Sequence, residues 1–186
     1  MVTPAFADDA KGLLKAAIRD DDPVLYFENK YLYRRVKGEA PEGDHVVPLG
    51  KARVVREGGD ASVVAYGSAV HHALGAAEAL EKEGVAVEVL DLRSLVPLDT
   101  EAVLATARKT KRVVVAHEDW RRAGYGAEIA AMVGEACFGE LKAPVRRVAS
   151  QDTPIPFAAT LEEAHLPNAE KIAAAVRAGL EKRERE

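Results

Sequence analysis

The stretch Val113–Met132 reads VVVAHEDWRRAGYGAEIAAM. A run of valines leads into a charged loop, and Gly124 and Gly126 then open a helical pattern. This order of strand, loop, glycines and helix is typical of one unit of a parallel sheet. It also has the layout of a nucleotide-binding loop, so the two glycines need a physical reason.

The spacing of the glycines does not favour nucleotide binding. A dinucleotide-binding fingerprint needs a third glycine and a tight turn directly after the strand. Here Ile129 stands where the third glycine would be, and a loop separates the strand from Gly124. Glu128 in the first helical turn would also repel a phosphate. We therefore interpret the glycines as positions of close backbone packing.

The same alternation continues on both sides of this stretch. The pattern predicts strands at 62–67, 85–92, 112–118 and 145–150, and helices at 68–84, 99–109, 126–138 and 168–182. Asp99 is the expected N-cap of the second helix. Alternating strands and helices predict an α/β fold, in which a parallel-type twisted sheet is flanked by helices on both faces.

The opening residues form a second, incomplete pattern. A short strand at 2–3, a helix capped by Asp8 or Asp9 and a buried strand at 24–27 make a strand–helix–strand unit with no further strand to pair with. We interpret it as the remnant of a preceding α/β domain. Its apolar side chains are then expected to be exposed, namely Val2, Leu13, Leu14, Val24, Leu25 and Tyr26.

The predicted domain organisation has three parts. Residues 1–35 are the remnant, residues 36–58 are a linker, and residues 59–186 are the complete domain. The linker is polar and rich in proline and glycine, with short strands expected at 46–48 and 52–56.

Composition excludes several function classes. The formal net charge is −4 with no basic stripe, which argues against nucleic acid as a partner. No apolar run is long enough to span a membrane, and the acidic opening does not fit a signal peptide. The single cysteine, Cys137, excludes a disulfide framework and fits a reducing cytoplasm. The mixed charges of residues 181–186 indicate a solvated helix end.

Candidate functional residues gather after the valine strand. His117 and Glu118 lie at the carboxyl end of a parallel strand and should point to opposite sides of it. A ligand or catalytic role and a hydrogen-bonding role at an interface both remain open for them. Trp120 stands beside two arginines, a composition that suits an interface hot spot or a lid. The adjacent pair at 71–72 lacks the i, i+4 spacing of a helical metal site.

Four motifs occur in order along the chain: DAKGLLKAAIRDDDPVLYFENKYLYR at 9–34, LDLRSLVPLD at 90–99, VVAHE with AGYGAEIA between 114 and 130, and QDTPIPF at 151–157. Together they resemble the beta subunit of the thiamine diphosphate-dependent decarboxylase component of 2-oxo acid dehydrogenases, of the pyruvate or branched-chain type. The resemblance covers essentially all 186 residues.

The resemblance implies a role in a larger enzyme. Residues 1–35 would be the end of a pyrimidine-binding domain, and residues 59–186 a transketolase-type C-terminal domain. The regions that carry the family's activating glutamate and catalytic histidine are absent, so no catalytic or cofactor-binding residue is assigned. Thiamine diphosphate and magnesium would belong to the full heterotetramer and not to this chain alone. The Ala17 carbonyl, Asp20 and Asp22 would contribute to a potassium site if the full domain were present, and a solvated helix end is the alternative.

The resemblance also implies partners. They are the alpha subunit of the decarboxylase and the subunit-binding domain of the acyltransferase core, with a homodimer expected for the isolated chain. The interface residues it implies are His117, Glu118, Trp120, Gly124, Gly126 and Glu128. Two alternatives remain: a free-standing α/β binding or assembly module, and part of another transketolase-like enzyme such as deoxyxylulose phosphate synthase.

Overall fold

The computed structural model describes residues 1–39 and 41–181. Five strands form one sheet in the order β1-β3-β2-β4-β5. The strands are β1 (Arg53–Arg56), β2 (Ala61–Ala65), β3 (Val87–Asp91), β4 (Val113–Trp120) and β5 (Arg146–Ser150). The helices are α1 (Ala7–Arg19), α2 (Leu32–Arg35), α3 (Ser68–Glu81), α4 (Thr100–Thr110), α5 (Tyr125–Ala136), α6 (Ala159–His165) and α7 (Ala169–Leu180).

The central strands of the sheet, β2, β3 and most of β4, are buried on both faces, as their apolar sequences predict. Alternate residues of β2 point to opposite sides: Val63 packs into a cluster with Leu80 and Ile172 from α3 and α7, while Val64 packs with residues of α4 and α5. Strands β2 to β5 run parallel. The predicted α/β fold with helices on both faces is therefore confirmed.

Strand β1 is the exception to the parallel pattern. It pairs antiparallel with β3, with Arg53 opposite Asp91 and an irregularity between Val54 and Arg56. The expected strand at 52–56 is thus present, and it is part of the sheet. The second strand expected in the linker, at 46–48, is not formed.

Side-chain caps fix several helix boundaries where the sequence predicted them. Asp99 Oδ1 accepts a hydrogen bond of 3.2 Å from the Ala102 amide at the start of α4. Asn168 caps α7 in the same way. The short helix α6 was not predicted. The last helix was expected to reach Lys182, which lies outside the described residues, as does most of the charged run 181–186.

The N-terminal segment departs most from expectation. No strand forms at 24–27: Tyr26 makes one isolated bridge to Val2, and Leu25 and Phe27 are exposed. Asp8 and Asp9 do not cap α1, whose N-cap is Phe6 without a side-chain bond.

The expected exposure of this segment is only partly correct. Val2 and Leu13 are fully buried, because the segment packs against the β3–α4 loop and against Val47. Val24 and Tyr26 are half-buried, whereas Leu14 and Leu25 are exposed as predicted. Among the described residues, no helix is both long and apolar enough to cross a membrane.

Candidate functional site at the carboxyl ends of the strands

The carboxyl ends of β2, β3 and β4 meet at one edge of the sheet, because these strands are parallel. This edge is where open α/β sheets place functional residues. It brings together Tyr66 and Gly67 after β2, Asp91 at the end of β3, and His117 and Glu118 in β4.

The two glycines that follow β4 seat helix α5 against a histidine. A Cβ on Gly126 would lie closer than 3.0 Å to the His117 ring, and a Cβ on Gly124 would collide with the Trp120 carbonyl oxygen and lie 3.0 Å from His117 Cε1. Both glycines are buried. The prediction that the glycines allow close packing is thus confirmed, and the packing lies within one chain.

His117 itself is enclosed. Its side chain is 0% exposed, and neither ring nitrogen has a hydrogen-bond partner among the described residues. The ring stacks on Tyr66 with centroids 5.9 Å apart. Burial lowers the pKa of His117, because the charged form would lose its hydration. A neutral, enclosed imidazole stabilises packing and is poorly placed to transfer protons.

Glu118 points to the other side of the strand, as predicted for the adjacent pair. Its Oε2 accepts a hydrogen bond of 2.9 Å from Asn29 Nδ2, which connects β4 to the N-terminal segment. Its backbone carbonyl accepts one of 2.6 Å from Ser150 Oγ. Glu118 therefore lies on an accessible face of the sheet edge, whereas its neighbour belongs to the core.

A cavity of about 300 Å³ opens at this edge, and we call it the strand-edge cavity. Its wall includes Thr3, Phe27, Asn29, Tyr66, Ser68 and Glu118. Gly67 turns the chain from β2 into α3 with φ 58°, a conformation that favours glycine. Ser68 is 2% exposed, and its Oγ has no hydrogen-bond partner within the described part of the chain.

A cluster of charged residues joins the N-terminal segment to the end of β3. Asp9 is buried and pairs with Arg93 at 2.8 Å and with Arg53 at 3.4 Å. Arg93 also donates from Nε to the Lys51 carbonyl at 3.0 Å, and its own carbonyl accepts from the Thr3 amide at 2.8 Å.

Asp91 lies beneath this cluster with no exposed surface. Its Oδ1 accepts from the Arg93 amide at 3.0 Å, while Oδ2 has no partner in the described residues. Burial raises the pKa of Asp91 to about 7. The sequence contained one signal for it, namely an acidic residue that ends an apolar strand pattern inside the motif LDLRSLVPLD.

The end of β4 and the first turn of α5 present the remaining implied interface residues. Trp120 is 51% exposed, and Glu128 lies exposed in the first turn of α5. Arg122 donates from its amide to Asp152 Oδ1 at 2.9 Å, which fixes the loop against the segment after β5. Of the six residues, His117, Gly124 and Gly126 are buried within the chain, and their roles at a subunit interface stay predictions.

The described residues provide no group of three His, Cys, Asp or Glu side chains that could hold a metal ion. Asp20 and Asp22 are exposed, and Asp20 Oδ1 accepts the Asp22 amide at 3.0 Å. His71 bonds the Ala5 carbonyl at 2.7 Å. The potassium site that the resemblance implies at Ala17, Asp20 and Asp22 stays a prediction.

Comparison with known proteins gives one family. Residues 50–172 match the family described as "Transketolase, C-terminal domain". The 2-oxoisovalerate dehydrogenase subunit beta of Bacillus subtilis is 49% identical over 178 residues, which are 95% of this chain and 54% of that protein. The subunit beta of an acetoin:2,6-dichlorophenolindophenol oxidoreductase from Cupriavidus necator is 47% identical over 177 residues, 95% of this chain and 52% of that one.

A solved structure agrees with these matches. It is described as a split gene transketolase, an inactive beta4 tetramer, and it aligns with a TM-score of 0.80 at 31% identity over 96% of this chain and 57% of its own. The chain spans about half the length of the curated relatives it matches. The resemblance to beta subunits of 2-oxo acid dehydrogenases is confirmed.

Proposed function

The chain belongs to the transketolase C-terminal domain family, and we propose that it is the C-terminal part of a 2-oxo acid dehydrogenase decarboxylase beta subunit. In the full complex that enzyme decarboxylates a 2-oxo acid and passes the acyl group to lipoamide. The observation that carries the proposal is the 49% identity to a 2-oxoisovalerate dehydrogenase beta subunit along 95% of the chain. We further propose a division into residues 1–35 as remnant, 36–58 as linker and 59–186 as the transketolase C-terminal-like domain, whose sheet also includes β1 from the end of the linker.

The role of this part is assembly and not chemistry. The conspicuous histidine of the strand edge is enclosed and neutral, and the charged cluster at Asp9 and Arg93 is satisfied within the chain. What the strand edge offers outward is the exposed Trp120 at the end of β4, together with Glu118 and Glu128. A half-exposed tryptophan flanked by arginines suits contact with the alpha subunit or with a second copy of the chain.

The residues present do not fit thiamine diphosphate. A diphosphate needs cationic side chains beside it, whereas the described residues that line the strand-edge cavity include Glu28 and Glu118 and no Lys or Arg. The described residues also provide no group of three His, Cys, Asp or Glu that could hold a metal ion. We propose that the cofactor and its magnesium lie elsewhere in the full heterotetramer, where the cofactor supplies the decarboxylation chemistry. Potassium would join the Ala17 carbonyl, Asp20 and Asp22 only when the rest of that site is present.

The proposed partners are the alpha subunit, the acyltransferase subunit-binding domain and, for the isolated chain, a second copy of itself. Support for self-association comes from the solved relative that is described as an inactive beta4 tetramer. We place the protein in the cytoplasm, since its one cysteine is buried and free.

The first experiment measures turnover and assembly together. The purified chain with thiamine diphosphate, Mg²⁺ and branched-chain 2-oxo acids should show no decarboxylation, and it should co-elute with the alpha subunit in gel filtration. Trp120→Ala should weaken that co-elution. Phe138→Ala removes another exposed aromatic side chain, just after α5, and is the control. Robust turnover by the chain alone, or no association with alpha, would refute the proposal.

One specific observation favours a second substrate class. The acetoin oxidoreductase beta subunit is almost as similar as the 2-oxoisovalerate one, at 47% against 49% identity. The reconstituted complex should therefore be assayed with acetoin and with 2-oxo acids in parallel. If acetoin supports the reduction of 2,6-dichlorophenolindophenol and the 2-oxo acids do not, the chain belongs to an acetoin oxidoreductase instead.

A further inference from the structure

The start of α3 has no side-chain cap. Its N-cap is Gly67, and the Val70 amide donates to the Gly67 carbonyl at 3.2 Å, so the amides before Val70 have no partner within the helix. The first amides of a helix and its dipole favour a negatively charged or carbonyl oxygen.

A second observation at the same place points to a ligand. Ser68 lines the strand-edge cavity, is 2% exposed, and has an Oγ without a partner among the described residues. A buried hydroxyl that lacks a hydrogen bond is costly, and few such groups persist in folded proteins. A ligand oxygen at the start of α3 would satisfy both the hydroxyl and the amides.

The wall of the cavity also carries a negative charge. Glu118 Oε2 accepts a hydrogen bond from Asn29 Nδ2, and Oε1 accepts none among the described residues. Glu28 is engaged elsewhere, because a hydrogen bond to it raises the pKa of Tyr33. The wall also includes the apolar side chains of Phe27 and Leu95, and it includes Met1, whose N-terminal ammonium donates to the Val96 carbonyl at 2.6 Å.

We propose that the strand-edge cavity binds a small α-amino acid with an apolar side chain. The carboxylate lies at the start of α3 and accepts from Ser68, the ammonium pairs with Glu118, and the side chain packs along Phe27 and Leu95. A ligand with only a carboxylate would leave Glu118 without a cationic partner. A ligand with only an amine would leave the start of α3 without an oxygen that accepts from it. A volume of about 300 Å³ suits a ligand of this size.

The test uses three probes of nearly equal shape with the 186-residue chain. L-leucine carries both charges, 4-methyl-2-oxopentanoate lacks the ammonium, and isopentylamine lacks the carboxylate. Calorimetric titration should show binding of L-leucine at least about tenfold tighter than of either analogue, because each loses a charge-assisted contact. Amide shifts of Ala69 and Val70 on titration locate the ligand without any mutation. Equal affinities for 4-methyl-2-oxopentanoate and L-leucine would overturn the proposal. A lack of L-leucine binding at a ligand concentration of ~10 mM would overturn it as well.

Variants then test the two ends of the cavity. Glu118→Gln keeps an acceptor for Asn29 and should weaken L-leucine about tenfold, and Ser68→Ala should weaken it about fivefold. Glu135→Gln changes an exposed glutamate on α5 and should have no effect. If the two cavity variants bind L-leucine as the unmodified chain does, the assigned contacts are wrong.

The proposal goes beyond the assembly role and does not depend on it. The titration uses the chain without an alpha subunit, whereas the assembly experiment uses no amino acid. Either result can fail while the other holds.

Discussion

Helices α3 and α5 start in the same way and end up in opposite environments. Each follows a parallel strand at the carboxyl edge of the sheet, each has a glycine at its N-cap, and neither has a side-chain cap. At α5 the space above the glycine is filled by the His117 ring. At α3 the strand-edge cavity opens beside the glycine, and the nearest atom to an added Cβ is Thr3 Oγ1 at 3.2 Å.

The two glycine motifs differ in what occupies the adjoining space. The pattern AGYG around α5 is the conspicuous one, and its glycines are required because a residue of the same chain occupies the site. The inconspicuous pair Gly67-Ser68 at α3 leaves room for something from outside. A glycine-rich strand-to-helix turn therefore indicates close approach, and the identity of the neighbour must come from the packing.

The largest effect is expected from adding a side chain at Gly126, where α5 packs against His117. Gly126→Ala places a methyl group against the buried His117 ring and should lower the free energy of unfolding by about 3 kcal/mol, measured by chemical denaturation. Gly134→Ala, in the same helix with no atom within 4 Å of the added group, should raise it by about 0.5 to 1 kcal/mol. Similar values for both variants would show that His117 does not need these glycines.

The end of β3 differs from the ends of β2 and β4, because no glycine follows it and it carries the buried carboxyl group of Asp91. The folded pKa of Asp91, about 7, is above its ordinary value of 3.8, so the folded state holds a proton that the unfolded state has lost. Stability from this group is complete below pH 3.8 and falls by about 1 kcal/mol per pH unit as the pH rises towards 7. Asp91→Asn should flatten that slope in unfolding curves recorded between pH 4 and 8. An unchanged slope would contradict burial as the cause.

A smaller effect is expected at the open helix start. Gly67→Ala forces an alanine into a positive-φ conformation, 3.2 Å from Thr3 Oγ1, and should cost about 1 to 2 kcal/mol of unfolding free energy. Gly75→Ala, in the middle of α3, meets only an ordinary contact with Ala169 and is the control. If Gly67→Ala were as stable as its control, the turn after β2 would not be conformationally restricted.

The smallest effect is expected from the protonation of His117, whose ring fills the space beside the α5 glycines. His117 has its pKa lowered by burial, so the unfolded state takes up a proton first, and stability is retained above pH 6.5 and lost as the pH falls below it. His117→Gln should reduce this acid-side slope, which cannot exceed about 1.4 kcal/mol per pH unit. Burial lowers the pKa of His72 as well, so His72→Gln is the matched comparison. If only His72→Gln changes the dependence of stability on pH, the interpretation of His117 as enclosed and neutral is wrong.

The sequence predicted the parts of the fold that depend on local pattern. Strands β2 to β5 and helices α3, α4, α5 and α7 follow from apolar periodicity and caps such as Asp99. It could not show that β1 runs antiparallel or that residues 24–27 form no strand, because both depend on which edge of the sheet is free.

The candidate site was predictable only in outline. His117 and Glu118 were identified, and their opposite directions follow from strand geometry. Their contacts come from far along the chain: Asn29 reaches Glu118, and Asp9 reaches Arg93. Ser68 has no sequence signal, since its lack of a partner is a property of the packing alone.

The connection made by Arg93 also has a mechanical consequence. Its backbone carbonyl holds the Thr3 amide, its guanidinium holds Asp9 of α1, and its amide holds Asp91 at the end of β3. A displacement of α1 would therefore act on the end of β3 through Arg93 and on β1 through Arg53, which also pairs with Asp9. We expect the position of the segment before the sheet and the position of these strand ends to be coupled through the two arginines.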